Sequence, residues 1–68
     1  MPEDYNKFPY TNEAQTLVNI LKDETEKMED HEASFIIDLA DRLELYGDET
    51  FISEKQIGWL RSLETRYA

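Results

Sequence analysis

The run Ile52-Ser53-Glu54-Lys55-Gln56-Ile57 constrains the fold of this chain more than any other stretch. Ser53 is placed to accept a backbone hydrogen bond at a helix start, and Gln56, at the third helical position, is placed to return one. Ile52 before this capping box and Ile57 after it have the spacing of a hydrophobic staple. Ile57, Leu60, Leu63 and Tyr67 then recur on one stripe. A helix over about 53–67 follows, and its apolar stripe must be buried against another element. Gly58 falls on the opposite side, where it costs about 1 kcal/mol relative to alanine.

Two further helices read from the same logic. Asn12 is a good cap with Gln15 three residues on, and Ala14, Leu17, Val18, Leu21 and Met28 follow at helical spacing. This predicts a first helix over 12–28, fraying somewhere in 27–30. Lys22 with Glu26, and Asp23 with Lys27, are spaced for i,i+4 ion pairs on its wet side. A second helix over 31–46 is expected to start on Asp30, with Glu32 in its first turn, and to stop at Gly47, which suits a left-handed closing position. Its apolar residues Ala33, Phe35, Ile36, Ile37, Leu39, Ala40, Leu43 and Tyr46 cover more than half the circumference, so this helix is expected to lie centrally and touch both others. Leu45 is out of phase, beside Asp38 and Asp41 on the wet side. It is either a tolerated exposed leucine or part of a contact surface. Residues 47–50 read as a turn, with 50–52 briefly extended. Residues 1–10, with Pro2 and Pro9 and no regular period, read as an arm. Its Tyr5, Phe8 and Tyr10 are too aromatic for a free tail; Phe8 and Tyr10 are expected to fold back onto the core. The prediction is one all-α domain over 1–68, a small three-helix bundle with an N-terminal arm.

Size and charge limit the functions open to such a bundle. Sixty-eight residues without cysteine have no disulfide or thiolate metal site to brace them, so packing or self-association must supply the stability. A homodimer is one way to do so. The formal charge is −9, from 16 acids against 7 bases. The acids are concentrated in residues 1–50, and the last eighteen positions are close to balanced. Such a surface repels double-stranded nucleic acid, and serves solubility or attracts basic protein partners. The start Met-Pro-Glu-Asp lacks a signal-peptide pattern, and no apolar run has the length of a membrane span, so a cytoplasmic protein is expected.

Catalytic chemistry has little to draw on. The two glycines, Gly47 and Gly58, form no phosphate loop, and His31 is the single histidine. No catalytic residue, cofactor or metal site is assigned. The acidic cluster Asp23, Glu24, Glu26, Glu29, Asp30 and Glu32 around His31 lacks the calcium-loop pattern and reads as a solvated turn. A better candidate lies on the third helix. With Ile57 at 0°, Lys55, Trp59 and Arg66 fall between about 160° and 200° at an ideal helical step. A tryptophan flanked by cations has the composition of a protein-contact hot spot, and it could equally stack on a single-stranded base. The other role open to Trp59 is packing at the core edge with Lys55 and Arg66 laid over it.

From Asp30 onward the residues Glu32, Phe35, Arg42-Leu43, Ile52-Ser53-Glu54-Lys55-Gln56, Trp59-Leu60 and Arg66-Tyr67 resemble a segment that ends many small bacteriophage and prophage proteins and some larger phage DNA-metabolism proteins. In that segment a helix with a Phe and an Arg-Leu pair leads through a short turn to Leu-Ser-x-Lys-Gln-x-x-Trp-Leu. His31 stands where such segments often carry a tryptophan. The resemblance implies a phage or prophage origin and a helical hairpin, and no particular activity. The expected function is therefore a non-enzymatic protein that binds a protein partner, with Lys55, Trp59, Arg66 and Leu45 at the contact. Two alternatives are an acidic nucleic-acid mimic that inhibits a host enzyme and an accessory module of DNA metabolism.

Overall fold

The computed structural model describes residues 8–68 of the chain. Pro2 and Tyr5 of the expected arm lie outside the described residues. Three α-helices follow in order: α1, Thr11–Leu21; α2, Asp30–Tyr46; and α3, Glu54–Tyr67. Short 3₁₀ segments, Lys22–Lys27 and Gly47–Glu49, join them, and no strand occurs among the described residues. The all-α three-helix bundle read from the sequence is the fold.

Helix α3 forms as its local code dictates. The Ser53 Oγ accepts from the Gln56 N–H at 3.1 Å, and the Gln56 Oε1 accepts from the Ser53 N–H at 2.8 Å. Ile52 and Ile57 are buried, as are Leu60 and Leu63. Thr50 and Ser53 have extended backbones, which brings the chain into the helix.

Helix α1 departs from its local code at both ends. It begins at Thr11 with Tyr10 at the cap position and no side-chain cap, rather than on Asn12. A tertiary bond outcompetes the capping box: the buried Thr11 hydroxyl donates to the Thr50 carbonyl at 2.6 Å, pinning the helix start to the turn before α3. Gln15, expected to close the box, reaches Asp48 at 3.5 Å instead. Tyr10 packs against the core as expected, and its hydroxyl lies 3.5 Å from Glu54. At the other end α1 stops at Leu21, not near Met28. The run Lys22–Lys27 has no buried residue, so nothing on the core side holds it to the α period and it winds tighter. The 3₁₀ turn brings i and i+3 together. The ion pair formed is accordingly Lys27 with Glu24 at 2.8 Å, rather than the i,i+4 pairs that an α-helix would favour.

Helix α2 starts at Asp30 rather than at 31, with Glu29 in place of Asp30 at the cap; the Glu29 N–H donates to the Glu32 carboxylate at 3.1 Å. It ends on Gly47, whose φ of +56° and ψ of −127° suit only a residue without Cβ. The broad apolar arc of α2 is not the centre of the bundle. Ile36 and Leu39 are buried, while Ile37, Leu45 and Tyr46 are exposed. Helix α1 takes the central place, packing on both α2 and α3. Its Ala14, Leu17, Val18 and Leu21 join Ile36, Leu39, Ile52, Ile57, Leu60 and Leu63 in one core. A bidentate pair, Arg61 to Glu13 at 2.6 and 2.7 Å, closes the outer side of the α1–α3 contact.

Two substitutions check this account. Gly58 lies on the exposed side of α3, and a Cβ there would meet nothing within 4 Å. Gly58→Ala is therefore expected to raise the unfolding free energy in urea by about 1 kcal/mol. Thr11→Val keeps the shape but leaves the buried Thr50 carbonyl without its donor, and is expected to lower stability by about 1–3 kcal/mol in the same measurement.

Candidate functional site

Helices α2 and α3 run antiparallel and are held together by side chains rather than by close backbone approach. At one end the link is Glu32, whose side chain is only 3% exposed. The Tyr67 hydroxyl donates to its Oε1 at 2.6 Å and the Arg66 Nη1 to its Oε2 at 2.8 Å. The Tyr67 hydrogen bond is the main cause that holds the Glu32 carboxyl below its ordinary range, followed by the Glu29 N–H, with Arg66 and His31 adding to it against the cost of burial. The same bond raises the Tyr67 phenol. The Arg66 guanidinium also lies 5.2 Å from the centre of the Tyr67 ring.

One turn on from Glu32 in α2 stands Phe35, which meets Trp59 of α3. Their ring centres are 4.1 Å apart and tilted by 31°, and the His31 ring stacks with Trp59 at 6.2 Å. Trp59 remains 37% exposed. Beyond this pair, toward the Gly47–Glu49 turn, nothing fills the space between the helices. The result is an open groove of about 1200 Å³. Its apolar surface comes from Phe35, Trp59, Leu45, Tyr46 and Phe51. Leu45 is 70% exposed and Tyr46 and Phe51 are each 62% exposed. Asp38, Asp41 and Glu49 line the α2 side with Arg42, which pairs with Asp38 at 3.3 Å. Lys55 stands on the α3 side and forms no ion pair among the described residues.

Three of the four residues singled out from the sequence thus meet in one groove: Leu45, Lys55 and Trp59. Arg66 does not join them. It shares their flank of α3, but its guanidinium is committed to Glu32 at the far end. Sequence reasoning missed Tyr46 and Phe51. Tyr46 was counted with the packed face of α2, but lies where that face has run past α1. Phe51 sits between the turn and the staple, an aromatic in a polar stretch, which was the one signal that it has no core position. The acidic cluster around His31 disperses. Glu32 turns inward and Glu24 pairs with Lys27, and among the described residues no group of three or more His, Asp or Glu side chains is placed to hold a metal ion.

A second hollow, of about 770 Å³, lies between α1 and α2. Its walls are mostly polar or charged, among them Gln15, Asn19, Lys22 and Glu44, with Ile37 as its exposed large apolar side chain. Of the two, the α2–α3 groove carries more large apolar side chains. Comparison with protein-family models, with curated proteins and with solved structures returns no match. The groove sets aromatic faces and a leucine between charged rims. Ser53 at its edge has its oxygen engaged by the Gln56 N–H.

The Glu32 link makes stability depend on pH in one direction. A carboxyl whose folded pKa lies below its unfolded value of 4.5 stabilises the fold at higher pH, and the contribution is lost as pH falls through the folded pKa. Thermal midpoints measured from pH 7 down to pH 3 are expected to fall more steeply for the wild-type chain than for Glu32→Gln. Parallel curves would remove Glu32 from this role.

Proposed function

We propose that this chain is a small non-enzymatic protein of bacteriophage or prophage type that binds a protein partner in the cytoplasm of the host cell. The phage reading is supported by the resemblance of the Ile52–Leu60 stretch. No helix of the described residues is long and apolar enough to cross a membrane.

The observation that carries the binding reading is the groove, in which Leu45, Tyr46 and Phe51 stand exposed beside Trp59. Single exposed leucines are ordinary, but Leu45, Tyr46 and Phe51 exposed together beside Trp59 offer several large apolar side chains to one partner surface. Tryptophan and tyrosine are also the residue types that dominate binding energy at protein interfaces. The acidic-mimic reading draws on the acids of residues 1–50. It predicts a complex held by surface charge, which weakens steeply with salt.

The test compares capture from a host lysate by the wild-type chain, by Leu45→Glu and by Ile20→Glu. Ile20 is an exposed isoleucine of α1 outside the groove. Proteins bound through the groove are expected to be retained by Ile20→Glu and lost with Leu45→Glu, both variants keeping the helical circular dichroism of the wild type. Equal retention by both variants at all salt concentrations would exclude the groove. Retention by both with loss above about 0.3 M salt, where the screening length is only several ångströms, would favour the acidic mimic.

A further inference from the structure

We infer that the α2–α3 groove takes an amphipathic helix of the partner, about three turns long, with a basic edge facing α2 and an acidic residue facing Lys55. This rests on the groove being a protein-binding site and adds the kind of segment it receives.

The shape argues first. The volume of about 1200 Å³ exceeds the roughly 300–1,000 Å³ of ordinary small-ligand pockets, and the groove is open along its length between two helices. On α2 its wall runs Phe35, Asp38, Arg42, Leu45, steps of three and four residues that make a continuous seam beside the one packed on α1, and Glu49 of the following turn stands at its end. A seam of this period is what a helix offers to another helix. From Phe35 to Leu45 it is about 15 Å long at the helical rise, which a partner helix of about ten residues would cover. A fourth helix laid there would pack on both α2 and α3 and complete a bundle. An extended strand has no sheet edge to join among the described residues. A proline-rich segment needs open slots between aromatic rings, whereas Phe35 and Trp59 are closed on each other at 4.1 Å.

The charge argues second. On the α2 wall Asp38 holds Arg42, which leaves Asp41 and Glu49 as the net charge of that side. On the α3 wall the charge is Lys55. The two rims are therefore opposite in sign, and complementarity fixes the direction in which a charged helix lies between them. A second copy of this chain fits less well, because two molecules of charge −9 repel each other.

The test selects peptides from a displayed library of random 16-residue segments on the wild-type chain, with counter-selection on Leu45→Glu. Enriched sequences are expected to carry apolar residues at i, i+3 or i+4, and i+7, and an excess of Lys and Arg. A synthetic copy of an enriched peptide is expected to gain helical circular dichroism on binding. It should bind Leu45→Glu about tenfold or more weakly, the loss of one central anchor, and Asp41→Lys several-fold more weakly, with a reduced salt dependence. Enriched sequences that are proline-rich, acidic or without helical period overturn the inference while leaving the groove a protein-binding site. Absence of any binder sensitive to Leu45→Glu overturns both. Two further measurements can also overturn it. One is a wild-type dimer in sedimentation that Leu45→Glu makes monomeric, which would assign the groove to a second copy. The other is quenching of Trp59 fluorescence by oligo-dT, which would assign it to single-stranded nucleic acid.

Discussion

One carboxylate determines how the two outer helices of this bundle stand. Glu32 is buried at the start of α2 and takes hydrogen bonds from the Glu29 N–H, the Tyr67 hydroxyl and the Arg66 guanidinium. A buried charge persists only when it is met in this way. It joins the first turn of α2 to the last turn of α3, helices that otherwise meet through few close backbone contacts. The Phe35–Trp59 pair then sets their separation further along. Tied at one end and spaced by two aromatic rings one turn further along α2, the helices leave a gap toward the Gly47–Glu49 turn. The groove follows from those two contacts.

The remaining stability comes from α1, which lies against both neighbours and carries small and medium side chains, Ala14 and Val18 among them, that admit close approach. Two threonines join it to the rest of the chain. The Thr11 hydroxyl donates to the Thr50 carbonyl, and the Thr50 hydroxyl donates to the Arg42 carbonyl at 3.2 Å. The turn between α2 and α3 is thereby fixed to the end of one helix and the start of another. Phe51 and Ile52 leave it in opposite senses, Ile52 into the core and Phe51 into water.

Legibility followed the range of the interaction. The α3 start was readable because Ser53, Gln56, Ile52 and Ile57 lie within six residues and their bonds are made among themselves. The Gly47 stop was readable because a positive φ has few other occupants. The α1 start was not, because Thr11 bonds to a residue 39 positions away. The inward turn of Glu32 was hidden for the same reason, since its partners are 34 and 35 positions on. For the groove, phase alone identified Leu45, and hot-spot composition identified Trp59 and Lys55. Tyr46 and Ile37 were assigned to a packed face. Whether an apolar arc is covered depends on where its neighbours lie, and Ile36 and Leu39 of this arc are covered while Ile37 and Tyr46 are not.

That uncovered arc is costly to the fold. Fully burying one large apolar side chain stabilises by about 1.5–3 kcal/mol, and a domain of this length has a net stability of roughly 3–10 kcal/mol. Leu45, Tyr46 and Phe51, all left in water in one place, thus forgo burial energy comparable with the whole stability of the protein. Folding gives no account of them: Leu45 could be a glutamate, and Phe51 a serine, without loss of any core contact. Phe35 and Trp59 stand between the two helices, and these three side chains border the groove beyond that contact, where burying them would need a further apolar surface.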